Sequence, residues 1–321
     1  MKKIIFPIII LLSVSLSAQS LSKINDMTFG GQNMDGSVFT FRDTSGNLFV
    51  FGNISQSAVP VDLTVQYGGQ DYSVVEYDKN GTKVWNNAYG GSSDDILYKV
   101  IPKASSFLLV GVSFSGNTGN KTSTLNCTNP FPSALVNNSR QIWIVEIDFS
   151  GNILNQTALC TSWSFGTYSN PDIEQITDFK QISNGDYILC GNFVSYMGPS
   201  GNNYALGNFM GYVRLDASFN FLSSTVLLGS SYLAPAGQVV SYVEVYNGYC
   251  GEVLELSNSD LLFSYTLENM YHRIPCGDNS SSVYSYGMTS LYNQFDVKQS
   301  SLAYGSHYGY ARAKKTNLLW R

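Results

Sequence analysis

Any chemistry in this chain would have to come from its carboxylates. Asp35 in "GGQNMDG", Asp94 and Asp95 in "YGGSSDD", and Asp172 and Glu174 in "SNPDIEQ" each stand at the end of a polar stretch, close to an apolar run. Paired carboxylates can serve as acid and base in glycoside hydrolysis, or can contact a cation or the hydroxyls of a sugar. An aspartate entering a strand also has a plainer use, accepting hydrogen bonds from the amides of its own loop. A residue of that kind recurs wherever its loop recurs, whereas a catalytic acid is normally unique. Repetition of the "GG…D" pattern therefore ranks the plain use first, ligand or cation contact second and acid–base chemistry last.

Other constellations are weaker. Trp163, with Phe165 and Tyr168 in "TSWSFGTYSN", is the best candidate for an exposed aromatic platform that stacks on a ligand. Trp85, Trp143 and Trp320 fall in apolar, strand-like runs and read as packing residues. The two histidines, His272 and His307, have no Ser/Asp partner at a recognisable spacing. Asp78 and Gly81 are one residue too far apart for a sialidase-type Asp box. The turns "DKNGT" and "DFSGN" lack the string of oxygen ligands that calcium loops carry. Phosphate-binding glycine motifs are missing. The chain reads as a non-enzyme with no catalytic residues, cofactor or metal, and Asp35, Asp94, Asp95, Trp163, Asp172 and Glu174 are its candidate ligand contacts.

The composition limits the partners. Charged residues make up 13% of the 321 residues and the net charge is −5, whereas nucleic-acid binders need clustered Lys and Arg. Residues 1–18 read as a signal peptide. Lys2 and Lys3 precede the short apolar run "IIFPIIILLSVSL", and small residues between Ser17 and Ser20 offer cleavage sites. No membrane span is expected after cleavage, and the destination is secretion or the cell surface. Such a destination permits disulfides. Cys127 with Cys160 and Cys250 with Cys276 are possible pairs, while Cys190 in "DYILCGN" reads as a buried core thiol.

Positioning these residues falls to a chain that repeats itself. One hairpin type is a strand, an Asp-bearing turn and a strand: "YSVVEYDKNGTKVW", "IWIVEIDFSGNIL" and "GYVRLDASFNFL", with Asp78, Asp148 and Asp216 in register. Gly81 and Gly151 suit tight turns, and Phe219 breaks that rule. A second type ends in an apolar run closed by glycine: "DTSGNLFVFGN", "PKASSFLLVGV", "ISNGDYILCGN" and "LYNQFDVKQSSLAYG". Gly52, Gly111, Gly191 and Gly305 coincide there, and "SNSDLLFSY" has lost the glycine. One hairpin of the first type followed by one of the second makes a four-stranded antiparallel unit. Units that cannot bury both faces alone, repeated along a chain, predict a β-propeller. A sandwich or solenoid accounts less well for two recurring turn types. The stretch "KINDMTFGGQNMDG" matches "KVWNNAYGGSSDD", and "GYARAKKTNLLWR" is similar to a first strand and its turn. Closure of about five blades across residues 19–321 is the expectation, with a fragment of a larger ring as the alternative.

The run "DYSVVEYDKNGTKVWNNAYGGSSDD…FLLVG" resembles the repeats of secreted bacterial β-propeller proteins. The best copy spans residues 71–113, and the others are degenerate. The resemblance implies structural repeat residues, export, and a role in binding or adhesion. Because strands alternate direction, the tight turns fall on one side of such a ring. The other side receives "GGQNMD", "GGSSDD", "TSWSFGTYSNPDIE" and the long inserts 114–141 and 194–209. Long loops on a rigid scaffold are where binding concentrates. The expected function is therefore binding of a glycan or a surface protein through that face. The alternatives are a secreted glycan-active hydrolase using rim carboxylates, and a structural module of a larger adhesin.

Overall fold

The computed structural model describes residues 36–55, 66–122, 140–160, 172–197, 205–229, 247–268 and 285–304, residue 295 excepted. Residues 1–18, Asp35, Cys127, Trp163, Cys276, Gly305 and Trp320 lie outside the described residues. So do the pairing of the chain's two ends, residues 123–139 of the first long insert and 198–204 of the second. The rest of the second, 194–197 and 205–209, is paired strand and not loop.

The described residues form an all-β protein of four four-stranded antiparallel sheets. The first sheet is β1 (Gly36–Arg42), β2 (Leu48–Ser55), β3 (Gln70–Tyr77) and β4 (Lys83–Tyr89). The second is β5 (Asp95–Pro102), β6 (Ser106–Ser113), β7 (Gln141–Asp148) and β8 (Ile153–Cys160). The third is β9 (Asp172–Gln181), β10 (Tyr187–Met197), β11 (Ala205–Leu215) and β12 (Phe221–Gly229). The fourth is β13 (Asn247–Glu255), β14 (Leu261–Glu268), β15 (Ser285–Tyr292) and β16 (Lys298–Tyr304). Each sheet is a meander in chain order. The expected hairpin order is reversed: in the first three sheets the glycine-closed hairpin comes first and the Asp-turn hairpin second. In the fourth, "LYNQFDVKQSSLAYG", grouped by sequence with the glycine-closed hairpins, stands in the second place. "GGSSDD" is therefore the joint between sheets rather than a connection inside one. Sequence periodicity cannot choose between these phases, because both hairpins alternate along the chain either way.

One turn design recurs. In residues 43–47, 78–82, 148–152, 182–186, 216–220, 256–260 and 293–297 the first residue's amide donates to the fifth residue's carbonyl, and the fourth residue's amide donates to the first residue's carbonyl. In each, the fourth residue sits at positive φ: Gly46, Gly81, Gly151 and Gly185, but also Phe219, Ser259 and Asp296 at 66°, 66° and 61°. Phe219 thus obeys the geometry while breaking the residue preference, and its ring packs 5.0 Å from Tyr187. The aspartates serve the turns. Asp78, Asp148 and Asp216 each accept amide bonds from two and four residues ahead. Those bonds, with side-chain bonds from Asn152 and Asn220 in the latter two, hold the carboxyls below their ordinary range.

The repeated glycine has a physical cause. Every first strand carries a bulge or irregularity: at Ser37/Phe39 in β1, at Leu97/Lys99 in β5, in β9 opposite Cys190/Gly191, and at Cys250/Val253 in β13. The bulge pushes a carbonyl toward the second strand. A Cβ on Gly111 would lie 2.0 Å from Ile96 O, one on Gly52 2.3 Å from Gly36 O, and one on Gly191 2.7 Å from Gln175 O. The fourth sheet inverts the solution. Gly251 moves into the bulge, and Ser264 opposite it accepts a bond from Glu252 N at 3.1 Å. This is why "SNSDLLFSY" has no glycine.

The sheets stack in order through alternating side chains. Phe107 and Leu109 of β6, with Trp143 and Val145 of β7, meet Phe49, Phe51, Tyr72 and Val74 of the first sheet. Phe51 and Phe107 lie 4.7 Å apart and Tyr72 and Trp143 5.0 Å. Leu108, Val110, Ile142 and Ile144, on the opposite face, meet Ile173, Phe179, Leu189 and Val213 of the third sheet. Tyr212 of the third sheet stacks on Phe263 of the fourth at 4.4 Å. Strands buried on both faces need unbroken apolar runs, which "SFLLVGVS" and "QIWIVEID" supply. Burying each large side chain there contributes about 1.5–3 kcal/mol. The first strands adjoin: β5 packs beside β1 and β9, and β9 beside β13. At these strands Lys99 pairs with Asp178 at 3.2 Å, and Asp178 Oδ2 accepts from Val253 N at 2.9 Å, linking three sheets. Trp85 and Trp143 are packing residues as expected; Trp143 is fully buried and Trp85 donates to Phe149 O at 3.2 Å. Cys190 is a buried thiol outside any disulfide, and Cys160 is disulfide-bonded.

Candidate functional site

Two strand entries, "YGGQD" at 67–71 and "GSSDD" at 91–95, are built alike. Tyr67 N donates to Asp71 Oδ2 at 2.7 Å, and Gly91 N to Asp95 Oδ2 at 2.7 Å, each four residues back. This is the plain role foreseen for a strand-entry aspartate. Residues 114–122 then fold over the joint. Ser93 N donates to Ser115 Oγ at 3.0 Å, Ser92 N to Thr118 Oγ1 at 2.7 Å, and Gly90 N to Asn120 Oδ1 at 2.9 Å. Asn120 Nδ2 returns to Ala88 O at 2.9 Å. Every amide from Gly90 to Ser93 is donated within the protein, so the loop offers no nest of free N–H groups to an anion.

Beneath the joint lies a sealed polar cluster. Asp95 is wholly buried, and its Oδ2 also accepts from Ser115 Oγ at 2.7 Å. Lys121 is wholly buried too. Its Nζ donates to Ser113 Oγ at 2.8 Å, Ser115 O at 2.6 Å and Gln141 Oε1 at 2.9 Å. The ammonium sits 5.9 Å from the Trp143 ring centroid. Burial pushes the Asp71 carboxyl up to about 6, the Tyr67 and Gly68 amides offset part of that, and the charges of Asp95 and Asp94 add to it. Burial also raises Asp95, against the Ser113 hydroxyl, the Gly91 amide, the Ser115 hydroxyl and the Lys121 charge. Lys121 is lowered to about 8 by burial, against the pull of Asp95. Asp71 Oδ1 and Asp95 Oδ1 have no hydrogen-bond partner.

The candidate contacts separate accordingly. Asp94 is exposed at the joint, while Asp95 points inward and is not on the surface, because its strand-entry bonds turn it under the loop. Glu174 is exposed at the junction of the second and third sheets. There its charge raises the Tyr98 hydroxyl, itself raised chiefly by burial, while nearby Arg140 lowers it. Arg140 Nη1 reaches Ile173 O at 3.1 Å, and its guanidinium covers the Phe114 ring at 5.4 Å. Asp172 opens β9. Asp94 and Asp95 therefore gather with Asp71, and Glu174 with Tyr98 and Arg140. Sequence reasoning passed over Asp71, although "YGGQD" repeats the Tyr-Gly-Gly that precedes the aspartates of "YGGSSDD". It also passed over Lys121, whose Asn/Ser/Thr-rich surroundings give no hint of burial. Among the described residues no three His, Cys, Asp or Glu side chains gather as a metal site would require.

The chain matches no protein-family model and no curated protein.

Proposed function

We propose that the chain is an exported β-propeller-type protein that binds a glycan or protein partner through its loop-bearing face and performs no catalysis there. The carrying observation is the sorting of connections. All the tight turns join strands one to two or three to four of a sheet, so the longer connections leave from the opposite end. Radial stacking is supported by the adjoining first strands and by the face of the first sheet turned away from the second. On that face Val75, Ser73 and Ile54 are buried as well, as a ring requires. Export is supported by the leader-like start and by the disulfide at Cys160. The non-catalytic reading is supported by the enclosure of Asp95, a carboxylate on which a hydrolase would depend.

Residues 117–122 anchor "GGSSDD", so the loop to test is the 123–139 segment. Replacing it with a short Gly/Ser linker, and separately making Trp163→Ala, should abolish retention on a glycan array or a surface-polysaccharide panel. Near-UV circular dichroism should stay unchanged. Retention untouched by both changes would move binding away from this face. A wild-type chain that ignores every glycan directs the reading to a protein partner.

A further inference from the structure

We propose that Lys121 and Gln141 form an intramolecular isopeptide bond, with Asp95 as the proton carrier. The inference does not depend on what the loop face binds. Lys121 Nζ lies 2.9 Å from Gln141 Oε1. A carbonyl bond is about 1.2 Å long, so the amide carbon lies within about 4 Å, close to the 3–3.5 Å of a near-attack arrangement. A modest rotation of either side chain brings the amine over the carbonyl. The present hydrogen bond polarises that carbonyl.

The surroundings suit the reaction. Lys121, Asp95 and Ser113 are each 0% exposed and Gln141 6%, so water that would compete or hydrolyse is excluded. Burial holds the Lys121 amine at about 8, which leaves roughly a tenth of it neutral and nucleophilic at neutral pH. The Ser113 hydroxyl neighbours both Lys121 Nζ and the Asp95 carboxyl, and offers a proton path between them.

The step balances without a co-reactant. The neutral amine forms a bond to Gln141 Cδ as the carbonyl electrons move onto Oε1. One Nζ proton passes to the Asp95 carboxylate. The carbonyl re-forms, the Cδ–Nε2 bond breaks, and Asp95 returns the proton to the leaving nitrogen. One secondary amide replaces one primary amide, ammonia departs, and nothing is oxidised or reduced. The linkage closes the base of the insert running from 122 to 140, fixing both feet of that loop to the second sheet and limiting the freedom of the unfolded chain.

The test is the intact mass of the purified full chain with its cysteines reduced. The mass should fall about 17 Da below the sequence value, the loss of one ammonia. Lys121→Arg and Gln141→Leu should each restore the full mass, and Asp95→Asn should leave most of the chain unlinked. Peptide mapping should recover one branched peptide joining the two side chains. Chymotrypsin is used, since trypsin would expose Gln141 as an N-terminal glutamine that loses ammonia by itself. A wild-type mass equal to the sequence value would overturn the proposal without any variant having to fold. A loss that persists in both substitutions would overturn it as well.

Discussion

Asp71 and Asp95 enter neighbouring sheets yet converge on one glycine. A Cβ on Gly90 would lie 1.9 Å from Asp71 Oδ1 and 3.0 Å from Asp95 Oδ2. The two acids stabilise the two loops of this joint by the same device. Burial is what chiefly raises the cost of ionising each, and at Asp71 the charge of Asp95 adds to it.

That cost has a sign. Asp71 has a folded value of about 6 against 3.8 for the ordinary side chain, so the folded protein holds its proton more tightly. Its stabilising contribution is complete below the ordinary value and disappears as pH rises through about 6. Burial moves Asp95 in the same direction. Urea unfolding at about pH 4.5 and 7 should show Asp71→Asn flattening the difference between them, by on the order of 1–2 kcal/mol. A variant with the wild-type pH slope would refute this.

Lys121 acts on the alkaline side. Its folded value of about 8 lies below the ordinary 10.5, so the folded state disfavours the charged form. Stability from this group should return as pH climbs between those values. An isopeptide-linked Lys121 no longer titrates. Unfolding curves across this range should therefore show the alkaline gain only in chains of full mass.

The bulge explanation distinguishes two glycines on adjacent stretches of chain. In Gly111→Ala the new methyl would meet Ile96 O, a backbone atom that cannot step aside, and should cost at least about 1–3 kcal/mol. Gly116→Ala meets nothing within 4 Å and should stay within about 0.5 kcal/mol of wild type. Thermal denaturation of the pair decides it; equal effects would refute the close-approach account.

The positive-φ positions without glycine should respond in opposite directions. Ser259→Gly removes left-handed strain at a partly exposed turn and should stabilise by up to about 1 kcal/mol. Phe219→Gly relieves the same strain but deletes a ring packed against Tyr187 and should destabilise by about 1 kcal/mol or more. Chemical denaturation of both variants is the measurement.

Asn53 ties β2 to β5 with both ends of its amide: Nδ2 donates to Leu97 O at 3.0 Å, and Oδ1 accepts from Leu97 N at 2.6 Å. Asn53→Ala leaves two backbone groups at the interface without partners and should cost about 1–3 kcal/mol. A urea midpoint like that of wild type would show that water replaces the bonds at little cost.

Much of this protein could be read from order along the chain. Strands, turns and the Asp and Gly positions of the first three sheets are local facts, set by side-chain alternation and by which residues tolerate a bend, and they emerged where expected. The grouping of "LYNQFDVKQSSLAYG" with the glycine-closed hairpins did not hold. Cys190 and Trp143 were recognisable as core residues because they sit in unbroken apolar runs. The grouping of hairpins was not recognisable, since an alternating series has no marked beginning. Nor was the inward turn of Asp95, because "SSDD" contains two adjacent acids and only the bonds from Gly91 and Ser115 distinguish the exposed one from the buried one.

Sequence alone determined a repeating all-β chain whose tight turns and longer connections alternate, because period-two patterning and turn chemistry act over a few residues. Tertiary structure alone decided which glycines face a bulge and that "GGSSDD" is a bonded joint between sheets. It also decided that Lys121, Gln141 and Asp95 share one sealed space. Those depend on approaches between segments distant in sequence, where a single carbonyl or methyl settles what fits.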